Sequence, residues 1–231
     1  MLLTAKDIGF HYPNQKRILF ENVNFQWQSG EGVFLSGPPG GGKTTLGYLI
    51  KGFIEPTYGA FHIIINKEDT HIINKDERLK IIGWVGARPE DQLFAPTVFE
   101  DVAYGLKNQE YNTEDIKHRV EHALNVVGLV PVEFAPRHPL SLSGGERRRA
   151  ALAGIIALDY PFYIFDQPTA GLDDAGCEQF ISICKSLRDE GRGFMWMGYD
   201  EEAASEIVDF KWTLKDSQLI CLNGGLKQTL I

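Results

Sequence analysis

Two patterns of apolar and polar residues run along the chain, and together they predict alternating strands and helices. Near the start, apolar and polar residues alternate in the manner of half-buried strands, in LLTAKDIGFHY and ENVNFQWQ. Short apolar runs predict further strands at EGVFLSG, GAFHIIIN, KIIGWVG, FYIFD and GFMWMG. Helices are predicted for KTTLGYLIKGF, DAGCEQFISICKSLRDEG, DEEAASEIV and a segment that begins near Ser143, and the closing stretch predicts a small hairpin.

The clearest helical period lies in residues 112–129. Its apolar residues fall on one helical face: Ile116, Val120, Ala123, Leu124 and Val127. Asn112 or Thr113 can cap the start of this helix, and Gly128 can end it.

The order of these elements predicts the domain organisation. The chain has 231 residues, which fit one domain, or one domain with an inserted lobe. We predict a single domain over residues 1–231, with an α/β core at 1–87 and 160–231. A mostly helical subdomain at 88–159 interrupts that core.

Charge and cysteine content narrow the class of partner. The formal net charge of −8 argues against general binding to a nucleic-acid backbone, so no nucleic-acid partner is predicted. Cys177, Cys184 and Cys221 show no metal spacing and indicate reduced cytosolic thiols. The chain shows no signal-peptide pattern and no apolar run of about 18 residues, so we expect any membrane role to come through a partner.

The stretch GPPGGGKT, Gly37 to Thr44, fits the phosphate-loop pattern G-x-x-x-x-G-K-[ST] between a predicted strand and a predicted helix. Glycines let backbone N–H groups turn towards phosphate oxygens at the positive end of a helix. Lys43 can reach the β- and γ-phosphates, and the Thr44 hydroxyl can hold Mg²⁺. A flexible glycine turn is the simpler alternative. The predicted nucleotide-contacting residues here are Gly37, Pro38, Pro39, Gly40, Gly41, Gly42, Lys43, Thr44 and Thr45.

A second Mg²⁺ ligand is expected at the end of a neighbouring strand. Asp166 ends the strand FYIFD and fits that role together with Thr44. An aspartate that only caps a turn is the alternative, and the phosphate loop makes it the weaker one.

The stretch LSLSGGERRRAALAGIIAL contains a second anion-binding pattern. Ser143 and Glu146 form an S-x-x-E capping box, while Gly144 and Gly145 leave the helix N-terminus open to an anion. LSGGE, placed before the strand that ends in Asp166, resembles the signature of ABC-type ATPases. AGLD, residues 170–173, resembles the loop of that family that communicates across the dimer. Tyr12 in FHYP resembles the aromatic residue that stacks on adenine; a core aromatic is the alternative.

PEDQLFAPTVFEDVAYG, residues 89–105, resembles the segment after the Q-loop in energy-coupling factor (ECF) transporter ATPases and their cobalt- and nickel-uptake relatives. Four acids in this segment could receive basic residues of a membrane partner: Glu90, Asp91, Glu100 and Asp101. A solvated acidic helix start, favourable to the helix dipole, explains the same acids equally well.

The resemblance implies an α/β fold with a P-loop (RecA-like) nucleotide-binding core, small N-terminal antiparallel strands and an inserted helical subdomain. It implies that two ATPase subunits, identical or unequal, pair head to tail and bind ATP and Mg²⁺ between the phosphate loop of one and the LSGGE of the other. It also implies a transmembrane coupling protein, a small-solute-binding membrane subunit, uptake of a vitamin or metal ion, and peripheral attachment at the cytoplasmic face. Since the chain stops at Ile231, we expect a dimer to rely on the nucleotide interface and the membrane partner.

Three positions depart from the family pattern. Gln167 occupies the place of the catalytic Glu, Tyr199 that of the switch His, and Ala87 that of the Q-loop Gln. An amide can orient water but cannot accept its proton as a carboxylate does, and a phenol does not carry the charge of an imidazolium.

The three departures predict a chain that binds Mg-ATP, hydrolyses it poorly at its own site and completes the site of another subunit. An engineered Glu→Gln change would explain Gln167 but not Ala87 or Tyr199. A non-transport regulatory or scaffold protein with the ABC fold remains an alternative. A phosphoryl-transfer kinase fits less well, because LSGGE and AGLD have no role in it.

Overall fold

The computed structural model describes residues 1–13, 18–65 and 70–223 of the chain. The strands in these residues are β1 Leu2–Phe10, β2 Phe20–Gln28, β3 Gly32–Ser36, β4 Tyr58–Ile64, β5 Thr70–Ile72, β6 Ile82–Val85, β7 Phe162–Asp166, β8 Gly193–Met197, β9 Phe210–Lys215 and β10 Gln218–Asn223. The α-helices are α1 Lys43–Lys51, α2 Lys75–Ile81, α3 Val98–Asn108, α4 Thr113–Val126, α5 Pro131–Phe134, α6 Gly144–Ile156, α7 Asp174–Asp189 and α8 Glu201–Ala204. Short 3₁₀ turns occupy Pro89–Gln92 and Pro139–Ser141.

The strands form two sheets. An antiparallel sheet has the order β2-β1-β4-β5, and a larger sheet has the order β10-β9-β3-β8-β7-β6. In the larger sheet β3, β6, β7, β8 and β9 run parallel, and only β10 is antiparallel to its neighbour. Helices cover the larger sheet, as parallel sheets require because both of their faces are apolar.

Two apolar cores lie on opposite sides of the parallel sheet. One contains Phe165 and Trp196 together with α3, α4, α6 and α7. The other contains α1 and joins the parallel sheet to the antiparallel one through Phe25 and Trp27. The segment between β6 and β7 carries no strand in the structure and packs its helices α3 to α6 on the first side.

The predicted α/β fold is confirmed, and every strand and helix predicted from the sequence is present. The predicted strand start at Lys80 is wrong, because α2 continues to Ile81. Asn74 and Glu77 explain this helix: the Asn74 side chain accepts from the Glu77 N–H at 3.0 Å, and the Glu77 carboxylate accepts from the Asn74 N–H at 2.9 Å. Such a capping box starts a helix efficiently. The pattern does not predict β5, α2 or α5.

Two further helix ends are resolved. Asn112, not Thr113, caps α4 by accepting from the Asp115 N–H at 2.9 Å, and Gly128 follows the helix with a left-handed φ of 69°. Of the helix predicted over DEEAASEIV, only Glu201–Ala204 is helical in the structure. None of the helices in the described ranges is long and apolar enough to cross a membrane.

The parallel strands set the position of the functional residues. Leu35 of β3 and Asp166 of β7 both lie beside Met197 of β8, and Val85 of β6 lies beside Phe165. These strands therefore end at one edge of the sheet. The segments that follow them all leave from that edge, where ligands of parallel α/β sheets bind.

Candidate functional site

The phosphate-loop sequence forms a tight turn between β3 and α1. Gly40 and Gly42 have φ values of 68° and 98°, a left-handed conformation that side chains other than glycine rarely adopt. A Cβ on Gly42 would also lie 2.8 Å from the ring of Phe20. Gly42 caps α1 without a side chain, so the N-terminus of α1 lies open at the turn. This geometry suits the binding of phosphate oxygens by backbone N–H groups.

Lys43 is held within this turn. It is 7% exposed, and its Nζ donates to the Gly37 carbonyl at 2.8 Å and to the Pro38 carbonyl at 3.3 Å. Its Nζ also lies 4.1 Å from the centre of the Tyr199 ring, a cation–π distance. The ammonium is thus placed at the turn with its donors engaged by the protein.

Thr44 and Asp166 are brought together from α1 and β7. The Thr44 hydroxyl donates to Asp166 Oδ2 at 2.8 Å, and Asp166 Oδ1 is buried with no hydrogen-bond partner among the described residues. Burial raises the pKa of Asp166, while the Thr44 hydrogen bond and the charge of Lys43 oppose that rise. A hydroxyl and a free carboxylate oxygen are ligands that Mg²⁺ prefers, so these residues fit that ion.

Tyr12 lies beside the same helix. Its hydroxyl lies 3.0 Å from the Thr45 hydroxyl, and its ring packs edge-on against Phe10 with centroids 4.9 Å apart. The sequence motif identified Tyr12 only as a ring for stacking. The hydroxyl contact with Thr45 holds that ring next to the phosphate loop, and no local sequence signal predicts it.

The three departing residues lie at the same edge of the sheet. Gln167 directly follows β7 with a φ of 51°, and its N–H donates to the Met197 carbonyl at 2.8 Å. Ala87 follows β6 and is half-buried, and Tyr199 follows β8 and is 59% exposed. The structure therefore brings Ala87, Gln167 and Tyr199 to the edge from which the phosphate loop leaves.

The predicted capping box at the signature is formed. The Ser143 hydroxyl accepts from the Glu146 N–H at 3.3 Å, and Glu146 Oε2 accepts from the Ser143 N–H at 2.7 Å. That bond from the Ser143 backbone is the main reason why the pKa of Glu146 is lowered. Ser143, Gly144 and Gly145 are exposed, and a Cβ added to either glycine would meet no described atom within 4 Å. The N-terminus of α6 is an open surface.

Arginines after the signature tie α6 to the core, a link that the sequence did not predict. Arg148 donates to the Pro168 carbonyl at 2.6 Å and to the Ala170 carbonyl at 3.4 Å. Arg149 donates to the Gln179 side chain on α7. The loop after Gln167 is therefore attached to the helix that carries the signature.

Two acids of the segment 89–105 have partners within it. Glu100 Oε2 accepts from the Thr97 hydroxyl at 3.1 Å, and Thr97 caps α3 through the Glu100 N–H. The Asp101 carboxylate accepts from the N–H groups of Phe94 and Ala95 at 3.1 and 3.0 Å. These acids shape the start of α3.

The remaining two acids of that segment lie in different surroundings, and two of its aromatic side chains are exposed. Asp91 pairs with Arg88 at 3.1 Å in solvent, and Glu90 Oε2 is buried without a hydrogen-bond partner among the described residues. Phe94 and Tyr104 are 67% and 51% exposed, and their rings form an edge-to-face pair with centroids 4.9 Å apart. Neighbouring exposed apolar side chains are a feature of interaction surfaces, so this pair is a candidate binding surface.

Comparison with known proteins assigns the family. The family model described as ABC transporter matches residues 20–170, well over half of the chain. The chain belongs to the ABC transporter family. The energy-coupling factor transporter ATP-binding protein EcfA of Methanocaldococcus jannaschii is 34% identical over 221 residues, which are 95% of this chain and 77% of that protein.

Two solved structures share the fold. One is cbiO1 from Clostridium perfringens, part of the ABC transporter complex cbiONQ, with a TM-score of 0.83, 25% identity and coverage of 94% of this chain and 86% of that one. The other is an ATP-binding cassette in a dimeric post-hydrolysis state bound to ADP and Pi, with a TM-score of 0.77, 28% identity and coverage of 96% and 100%. This chain is thus an ATP-binding subunit of an ABC transporter, and the ECF resemblance is confirmed.

Proposed function

We propose that this ABC ATPase powers uptake of a micronutrient, a vitamin or metal ion, in an ECF-type importer, and that its own phosphate-loop site hydrolyses ATP only weakly. Its signature then completes the site of a second ATPase subunit. That subunit is an identical chain or an unequal relative. The chain attaches peripherally at the cytoplasmic face of the membrane through a transmembrane coupling protein, next to a small-solute-binding membrane subunit.

One observation carries the proposal of a weak site. The residues that grip nucleotide are in place, with Lys43 at the turn and Thr44 bonded to Asp166. The residues at the same edge that would act on the γ-phosphate and water are Ala87, Gln167 and Tyr199. The departures are thus confined to residues that would act in hydrolysis at one site. A general loss of function would also have changed the residues that bind nucleotide.

The chemistry of the site follows from these side chains. Backbone N–H groups at the start of α1 and the Lys43 ammonium bind and orient the phosphates. Thr44 and Asp166 would hold Mg²⁺, which would neutralise phosphate charge when bound. The Gln167 amide can orient a water but cannot take its proton, and general-base help is worth about 10²- to 10⁴-fold in rate. Binding is thus retained while the chemical step is slowed.

Steady-state ATP turnover of the purified chain tests the weak site. We expect a rate far below about 1 s⁻¹, the lower end for ordinary enzymes. A brisk rate at or above that value would show that Gln167 supports catalysis in its own right.

The complex with a competent partner ATPase tests the asymmetry between the two halves. Ser143→Arg in this chain fills the open N-terminus of α6 and is expected to abolish the activity of the complex. Lys43→Ala removes only the weak site and is expected to leave part of the activity. Equal losses from the two variants would contradict the assignment of separate roles.

The exposed rings of Phe94 and Tyr104 support docking of the membrane partner on residues 89–105. We expect the double change Phe94→Ser and Tyr104→Ser to reduce recovery of the coupling protein with this chain from solubilised membranes. Val132→Ser is the matched control, because Val132 is 87% exposed but lies on α5, outside this segment. A chain that never recovers a polytopic membrane protein would instead favour the regulatory or scaffold function.

A further inference from the structure

The nucleotide site contains a contact between Lys43 and Tyr199 that the proposed reaction does not use. A lysine ammonium has three N–H donors. Two carbonyls of the turn, those of Gly37 and Pro38, accept from Nζ, and the Tyr199 ring lies 4.1 Å from the same nitrogen. Lys43 is 7% exposed, so little of this ammonium faces water. Two carbonyls and one aromatic ring of the protein thus contact this ammonium.

The position of Tyr199 is set by the sheet. Leu35 of β3 lies beside Met197 of β8, and the N–H of Gly198 donates to the Leu35 carbonyl at 3.2 Å. This bond fixes the turn after β8 against the end of β3, where the phosphate loop begins. Tyr199 is the next residue, and its ring is 59% exposed, outside the buried core. The ring therefore reaches Lys43 because of strand register and not because it fills the interior.

We propose that the Tyr199 ring is a positioning residue that holds Lys43 against the Gly37 and Pro38 carbonyls, and that a nucleoside di- or triphosphate must displace this contact in order to bind. The proposal rests on the nucleotide site described above. It gives the Tyr199 ring a role before any nucleotide binds, whereas a hydrogen bond from its hydroxyl to a γ-phosphate would act only with ATP.

The two roles of Tyr199 make opposite predictions. A cation–π contact needs the ring and not the hydroxyl, and it opposes ADP and ATP alike, since Lys43 reaches the β-phosphate that both contain. A γ-phosphate hydrogen bond needs the hydroxyl and favours ATP over ADP. Losing the ring contact is expected to tighten binding by about two- to ten-fold, which corresponds to a partly exposed cation–π pair.

Calorimetric titration of the full chain with Mg-ATP and Mg-ADP separates these roles. Tyr199→Leu removes the ring and should bind both nucleotides about two- to ten-fold more tightly, with an unchanged ratio between them. Tyr199→Phe keeps the ring and should bind both as the unmodified chain does. Weaker binding by Tyr199→Leu, an effect on ATP alone, or a Tyr199→Phe variant that behaves like Tyr199→Leu would each overturn the proposal.

A measurement without nucleotide tests the same contact. Tyr199→Leu should lower the thermal midpoint of the empty chain, and it should do so less when Lys43 is already replaced in Lys43→Met, because no ammonium remains to hold. Equal effects in both backgrounds would contradict the pairing. If Lys43→Met binds nucleotide as tightly as the unmodified chain, the nucleotide site itself is misplaced. If Lys43→Met binds nucleotide weakly but Tyr199→Leu does not tighten binding, the nucleotide site is correct and only the proposed role of Tyr199 is wrong.

Discussion

The phosphate-loop region and the signature region differ in how much of each a single chain builds. Lys43 and Asp166 are 7% and 8% exposed, and the folded core supplies hydrogen-bond partners to both. Ser143, Gly144 and Gly145 are exposed, and the contacts that shape them are those of the capping box. Folding of one chain therefore forms the phosphate-loop region as a binding site, whereas it leaves the signature region as an exposed surface. We expect the phosphate-loop region to bind nucleotide in a single chain and the signature region to bind it only in a dimer.

The largest effect is expected when the missing catalytic groups are restored together. The combination Ala87→Gln, Gln167→Glu and Tyr199→His should raise ATP turnover in a dimer by about 10²-fold or more, because a carboxylate base and its supporting groups return to one edge of the sheet. Gln167→Glu alone should gain much less, since catalytic groups act as a unit. Steady-state turnover measures both. A triple variant no faster than the single one would argue that the site is limited elsewhere.

Lys43→Ala should have the next largest effect, on binding. Loss of a charge-assisted hydrogen bond to phosphate should weaken Mg-ATP binding by about 10- to 100-fold in calorimetric titration. Lys117→Ala is the control, because Lys117 is exposed on α4 and pairs only loosely with Glu121 at 3.9 Å. Equal Mg-ATP affinities of Lys43→Ala and Lys117→Ala would mean that the phosphate loop does not bind ATP.

Tyr12→Ala should weaken ATP binding by about 10-fold, since stacking of a base on an aromatic ring is lost. Tyr12→Phe keeps the ring and gives up only the neutral contact with Thr45, so its affinity should stay close to that of the unmodified chain. Fluorescence titration with ATP compares the two variants. A large loss with Tyr12→Phe would mean that the hydroxyl, through Thr45, matters more than the ring.

Ser143→Ala should cost stability but not nucleotide affinity in the isolated chain. Removal of the capping hydroxyl at α6 typically costs about 1 kcal/mol of unfolding free energy, measured by urea denaturation. Ser143→Asp retains a cap and serves as the control. A change in ATP affinity from Ser143→Ala alone would show that the signature already acts within one chain.

The smallest effect concerns Asp166 when the chain is measured without nucleotide and Mg²⁺. Since burial raises its pKa in the folded state, the unfolded chain releases this proton first as pH rises. The contribution of Asp166 to stability is therefore present in acid and lost as pH rises through the folded pKa. Asp166→Asn should raise the thermal midpoint of the empty chain at pH 7 and not at pH below the ordinary value of 3.8. A variant less stable at pH 7 would contradict this sign.

Features that depend on local sequence were predictable. The phosphate loop, the acid that ends β7 and the S-x-x-E cap are contiguous patterns, and their elements form where the patterns place them. The contacts between Tyr12 and Thr45 and between Lys43 and Tyr199 were not predictable. The Lys43–Tyr199 contact depends on β8 lying next to β3, and the order of strands in a sheet cannot be read from their order along the chain. The Tyr12–Thr45 contact depends on how the end of β1, in the antiparallel sheet, packs beside α1.

Arg148 links the helix that carries the signature directly to the loop that follows Gln167. Its guanidinium bond to the Pro168 carbonyl, at 2.6 Å, can lengthen by only a few tenths of an ångström before it weakens, because N–H···O bonds weaken quickly beyond about 3.2 Å. The second bond, to the Ala170 carbonyl, is already weak at 3.4 Å. When α6 moves by more than a few tenths of an ångström at Arg148, either the loop after Gln167 moves with it or these hydrogen bonds break. We therefore expect a shift of the signature helix to displace the loop after Gln167 within the same chain.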